Sequence, residues 1–295
     1  MTPVPDPIDI SDLPDGTPVA IKSFVSQVRE GYYTKRGNYS HWKKAVGTIA
    51  QYSPALHFLL CVAVGASMRP MLQKMPGAIV HLKGTSTTGK SIALQTVLSL
   101  RADPSDMTWC FDSMSTLKWY TIAAENNFLC LVDTHMALLP LNSSVCYSVR
   151  PSFFQQFDKE TAPHCTIIST GVPGIDTLAD GHLKNALEID ARVIPFWPHP
   201  EHLQRWWMDY WINELRMHYG HAREKILDSL SQKTDFWTEC YEKYWSQLPS
   251  SMAPGKRSVF VQAQLGRLWL QQHADIAIAD FAVYDLLLKQ SKRPS

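Results

Sequence analysis

The 295-residue sequence has almost no net charge, no CxxC pair and no apolar run long enough to span a bilayer. Each absence removes a class of protein. With 28 basic and 27 acidic residues the net charge is +1, so the chain as a whole is no polyelectrolyte mate for nucleic acid, although a local patch stays open. The longest mostly apolar stretch, Ala55 to Met68, falls short of the ~20 residues a membrane span needs and is expected as a core helix. Six cysteines (Cys61, Cys110, Cys130, Cys146, Cys165, Cys240) have no His at ligand spacing, which points to reduced thiols in a cytoplasmic protein and to no zinc site. The first 20 residues lack any base and any apolar stretch, which argues against a signal peptide.

What is present divides into four stretches. Residues 1–20 hold Asp6, Asp9, Asp12 and Asp15 and five of the 19 prolines, and are expected as an extended acidic arm. The remaining chain then carries about +5, a modest basic bias. Residues 21–76 show helical spacing (Trp42, Val46, Ile49, Tyr52) and are expected to pack as a helical segment on the core. In residues 77–197 short apolar runs, Ala78–Leu82, Phe128–Val132, Thr166–Ile168 and Val193–Phe196, alternate with polar or helical segments, the pattern of a parallel sheet covered on both faces. Residues 198–295 return to helical spacing and are expected as a lid or oligomerisation region, its tryptophans serving core or interface.

The strongest motif is Gly84-Thr85-Ser86-Thr87-Thr88-Gly89-Lys90-Ser91, which fits G-x-x-x-x-G-K-[ST] between an apolar strand and a helix carrying Leu94, Val97 and Leu98, and its residues together with Ile92 are expected to bind the nucleotide. Glycines let consecutive N–H groups face phosphates at the positive end of a helix. Lys90 is expected to neutralise the β- and γ-phosphate oxygens of ATP, and the Ser91 hydroxyl to ligate Mg²⁺. Asp133, ending Phe128–Val132, is the expected carboxylate of the magnesium shell. After it stands Thr134, where many ATPases with an additional strand between the two motif-bearing ones carry a glutamate base. Three readings compete for this catalytic position: slow turnover, a base supplied by Glu125 or Glu160, or a water placed by His135. The run Thr166–Ile168 is expected as the inserted strand, with Ser169 or Thr170 as its polar sensor.

Residues ~40–200 resemble a family of P-loop ATPases first catalogued as a domain of unknown function, found in phage, plasmid and mobile-element proteins beside primase or helicase-like parts. The resemblance runs from Ala55–Leu60 through His81–Ser91, the Trp109 region, Asn126–Asp133 and Ile168–Gly171 to Ala191-Arg192-Val193. It implies a three-layer α/β core of the additional-strand, AAA+-like or helicase-like type, flanked by N- and C-terminal helical regions. It further implies a homo-oligomer, as in ring-forming relatives, coupling ATP to replication, maintenance or transfer of DNA, with a separate primase or helicase chain as a candidate partner and no membrane. An arginine from the neighbouring subunit usually reaches the γ-phosphate in such rings, and Arg150 and Arg192 stand at the matching places. The sequence departs from the family pattern at Thr134, Val172 and Lys118, each where an acid is usual. A nucleotide-dependent assembly protein with vestigial hydrolysis is therefore the second reading.

The candidate nucleic-acid contact is Arg29, Lys35, Arg36, Lys43 and Lys44, interleaved with Tyr32, Tyr33, Tyr39 and Trp42. Bases and aromatics together serve single-strand binding, whereas a solvated helix edge uses the same residues with no partner.

Overall fold

A computed structural model describes residues 35–69, 72, 75–85, 88–101, 103–104, 129–133, 166–172, 174–178, 182–191, 194, 201–276 and 282–291. The first helix, α1 (Tyr39–Tyr52), starts where the Asn38 side chain accepts the Ser40 N–H at 2.7 Å. Ser53 ends α1 and caps α2 (Pro54–Ser67), accepting from Leu56 N at 3.2 Å with Pro54 in the first turn. The expected core helix is therefore real: every residue of α2 from Ala55 to Ala66 is buried.

The sheet contains β1 (Ala78–Lys83), β2 (Leu129–Asp133), β3 (Thr166–Gly171) and β4 (Ala186–Asp190), in the order β2-β3-β1-β4. All three pairings are parallel. β3 thus lies between β1 and β2, where the inserted strand was expected. The fourth strand differs from expectation. It precedes the run Val193–Phe196, of which only Ile194 lies within the described residues, and there the Ile194 N–H turns back to Asp190 O at 2.9 Å. Glu188 and Asp190 interrupt the continuous apolar run expected of a strand covered on both faces.

Between the strands run α3 (Lys90–Leu98), after β1, and the single turn α4 (Ile175–Leu178), after β3. Helices α5 (Glu201–Met217), α6 (His221–Gln232), α7 (Thr234–Ser246), α8 (Pro254–His273) and α9 (Ala282–Ser291) follow β4. One hydrophobic core unites these parts. It takes Val80 and Leu82 from β1, Ile168 from β3, Leu187 and Ile189 from β4, most of α2, and Val259, Phe260 and Trp269 from α8. Gln262 of α8 holds Thr166 of β3, donating from Nε2 to Oγ1 at 2.9 Å, so this face of the sheet rests on α8. Ile79, His81, Ile167 and Ser169, on the opposite face, are also fully buried, as a parallel sheet requires.

Helices α2 and α8 cross antiparallel at two glycines. A Cβ on Gly65 would stand 2.1 Å from Gln262 O, and one on Gly266 1.8 Å from Cys61 O. The missing side chains are what let the backbones touch. Of the tryptophans expected in the core, Trp237 and Trp269 are fully buried, while Trp211 and Trp245 pack against its edge.

Candidate phosphate-loop site

The first candidate residues sit where β1 runs out. Lys83 ends the strand, and Gly84 N–H donates to Gly171 O, at the end of β3, at 3.0 Å. On the other side Ala191 N–H, just past β4, donates to Lys83 O at 2.8 Å. The loop therefore leaves the sheet clamped between the ends of its two neighbours. It turns into α3 through Gly89, whose φ of +81° lies in the left-handed region that glycine adopts without penalty. Helix α3 has no side-chain cap and no acid in its first turn, so no side chain of that turn neutralises its positive end.

Lys90 opens α3 and folds back over the loop. Its Nζ donates to Gly84 O at 2.8 Å, Thr85 O at 2.6 Å and Thr88 Oγ1 at 3.3 Å, and only 3% of the residue is exposed. Thr88 Oγ1–H closes the same loop onto Thr85 O at 2.8 Å. An ammonium held by these neutral oxygens brings positive charge to the loop's centre, where an anion would be met favourably. Ser91 and half-buried Ile92 follow in the first turn of α3, while Ser86 and Thr87 lie outside the described residues.

Register brings the other strand ends alongside. Thr170 pairs with Leu82 on one side and with Asp133 on the other, so Asp133, which ends β2, lies level with Thr170, one residue before the end of β3, at the edge from which the loop departs. This is the carboxyl edge, where open α/β sheets bind ligands. Ser169, the other sensor candidate, is engaged elsewhere: its hydroxyl lies 2.9 Å from His81 Nδ1 inside the sheet. Thr170 is left as the residue in line with Asp133. Thr134, Arg150 and Arg192 lie outside the described residues, as do Lys118, Glu125, His135 and Glu160.

Sequence reasoning missed Glu188. Its carboxylate takes Lys83 Nζ at 3.3 Å and Ile175 N–H at 2.8 Å. The one available signal was a lysine directly before the motif, which needed an acid on a strand not yet located.

The basic stretch is less available than its composition suggests. Arg29 lies outside the described residues. Lys35 pairs with Glu224 at 2.7 Å, a hydrogen bond that holds that carboxyl below its ordinary range, and Lys43 pairs with Asp275. Trp42 is fully buried with its indole N–H on Ser99 Oγ at 3.0 Å, and the Tyr39 hydroxyl donates to His273 O at 2.8 Å. Neither ring is a stacking platform. Arg36 and Lys44 remain exposed, although the Arg36 backbone is bridged to Tyr219.

Among the described residues one group could gather a metal ion: His41, Glu214 and His218. The backbone N–H of Asn38 donates to His218 Nδ1 at 3.0 Å. That makes Nδ1 the acceptor and puts the neutral ring's proton on Nε2, the nitrogen 3.9 Å from Glu214. Metal-binding histidines have the reverse arrangement, donating from the second nitrogen. The trio instead belongs to the corner that ties the start of α1 to the end of α5.

Comparison with known proteins bears on the fold. The family described as "Domain of unknown function (DUF927)" matches residues 16–116, about a third of the chain. A solved structure described as "SCCmec type IV Cch - active helicase" superposes with a TM-score of 0.63 at 16% identity. The match covers 88% of this chain and 52% of that one, so the chain spans about half the length of that protein. At such identity the likeness is one of fold. No curated protein matches the sequence. No helix among the described residues is long and apolar enough to cross a membrane.

Proposed function

We propose that the chain is an ATP-binding, helicase-like ATPase of a mobile genetic element, acting in replication, maintenance or transfer of DNA. The observation that carries this reading is the meeting of three strands at one edge: the Gly84–Ser91 loop after β1, Thr170 one residue before the end of β3, and Asp133 closing β2 in register with Thr170. The family match and the helicase of similar fold support it. The residues fit the nucleotide they imply. The uncapped start of α3 and the buried Lys90 ammonium suit a polyphosphate, and Ser91 with Asp133 would hold Mg²⁺. Bound Mg·ATP supplies a phosphoanhydride whose cleavage is limited mainly by charge stabilisation and positioning. In this chain Lys90 would offer the charge, the backbone N–H groups at the uncapped start of α3 would orient the phosphates, and Thr170 would serve as the polar sensor toward a water or the terminal phosphate.

Thr134 sets the expected rate. With no carboxylate directly after Asp133, turnover by an isolated chain is slow, and an arginine from a neighbouring copy, Arg150 or Arg192, completes the site in an oligomer. The same departure favours the second reading, an assembly protein in which ATP stabilises the oligomer without turnover.

Sizing the protein with and without ATP, while measuring phosphate release with single- and double-stranded DNA, separates the two. DNA-stimulated release supports the ATPase. Nucleotide-dependent oligomers with no release and no response to DNA support the assembly protein.

A further inference from the structure

The Glu188 carboxylate joins three segments at the mouth of the phosphate loop. One oxygen accepts from Lys83, the residue before Gly84, and the other from the backbone N–H of Ile175. Room for it comes from Gly174, where a Cβ would stand 2.7 Å from Glu188 Oε2 and 3.4 Å from Lys83 Nζ. The far end of the same segment is fixed by Gly84 N–H on Gly171 O. Residues 171–175, which directly follow Thr170, are thus tied at both ends to the exit of β1. The Lys83 and Glu188 side chains are 29% and 31% exposed, shielded enough for their charges to act on each other without the full desolvation cost of a buried pair.

Strand pairing alone does not need this carboxylate. β4 is already held to β1 by an unbroken parallel register from Ile79↔Ala186 to Lys83↔Asp190. What Glu188 adds is a charge-assisted contact to a segment outside the sheet. We propose that Glu188 is a positioning residue that couples the phosphate loop to residues 171–175, so that a nucleotide held by the loop orders the segment behind Thr170 through Lys83. This rests on the phosphate-loop reading above.

Hydrogen exchange of the full chain with and without Mg·ATP tests it, read in peptides covering 84–98 and 171–178. In the wild type the nucleotide slows exchange in both. In Glu188→Gln, which keeps the shape and removes the charge, slowing persists in 84–98 and is lost in 171–178. Lys83→Gln, which leaves the Ile175 contact intact, gives the same loss and guards against a folding defect in the first variant. Persistence of the 171–178 response in either folded variant overturns the coupling, as does a wild-type response confined to 84–98. No wild-type response in 84–98 instead overturns the phosphate-loop reading itself.

Discussion

Alanine at Gly266 and alanine at Gly47 are the same chemical change in two helices, and the structure assigns them opposite signs. At Gly266 the new methyl would stand 1.8 Å from Cys61 O and 2.6 Å from its carbonyl carbon, both backbone atoms of α2. Carbon–oxygen contacts settle near ~3.3 Å, so α2 and α8 must part by roughly 1.5 Å at the crossing. Overpacking of a well-filled core costs about 1–3 kcal/mol, and a clash with rigid backbone belongs at the top of that range. Alanine returns about 1 kcal/mol of helix propensity, leaving a net loss near 2 kcal/mol. At ~2–4 °C per kcal/mol for a chain of this size, the melting temperature falls by about 4–8 °C. At Gly47 the nearest atom to the new methyl is Ile276 Cγ1 at 3.5 Å, an ordinary contact. There only the propensity remains, and the melting temperature rises by about 2–4 °C. Thermal unfolding followed by circular dichroism reads both. A Gly266→Ala protein as stable as wild type, or the two variants moving in the same direction, refutes the packing reasoning.

Further outcomes follow from buried and paired charges. Burial in α2, with the Arg267 charge second, lowers the His57 pKa from 6.5 to about 4. The unfolded chain then binds the extra proton first, so stability from this group is complete above pH 6.5 and is lost as pH falls toward 4. The loss is of order 3 kcal/mol, and the His57→Gln protein should show a correspondingly flatter dependence of melting temperature on pH across that window. Because Lys35 and Lys43 face carboxylates while Arg36 and Lys44 are exposed, single-stranded DNA binding should depend more on the second pair. Replacing Arg36 and Lys44 by alanine should flatten the plot of log affinity against log salt by about 0.7 for each phosphate no longer neutralised, with a smaller change for Lys35 and Lys43. An unchanged slope in the Arg36/Lys44 variant removes this stretch from any DNA-binding role.

The elements legible in the sequence were those whose signal is local. The Gly84–Ser91 motif has fixed residues at fixed spacing, and Ala55–Met68 is apolar around almost its whole circumference. The run before Asp133 is continuously apolar, and the strand before Gly84 is apolar from Ala78 to Leu82 but for His81. β4 escaped because Glu188 and Asp190 alternate with Leu187 and Ile189. The Glu188 carboxylate answers a lysine 105 residues away, so its partner exists only once the sheet is assembled. The glycines at the α2–α8 crossing were equally silent, since nothing near Gly65 announces that Gln262 will lie against it. The basic aromatic stretch was legible only in its composition, for a related reason. Trp42 and Lys35 have the composition of a nucleic-acid surface, but Ser99 and Glu224, distant in sequence, claim them first.

On the reading proposed above, Gly84–Ser91 holds a nucleotide through the Lys90 ammonium. Equilibrium binding of a fluorescent ATP analogue in magnesium, to wild type and to Lys90→Ala, tests it most directly. A charge-assisted hydrogen bond of about 1.5–3 kcal/mol predicts a dissociation constant raised roughly 10- to 100-fold in the variant. Tight binding left unchanged by Lys90→Ala would place the nucleotide elsewhere and contradict the account.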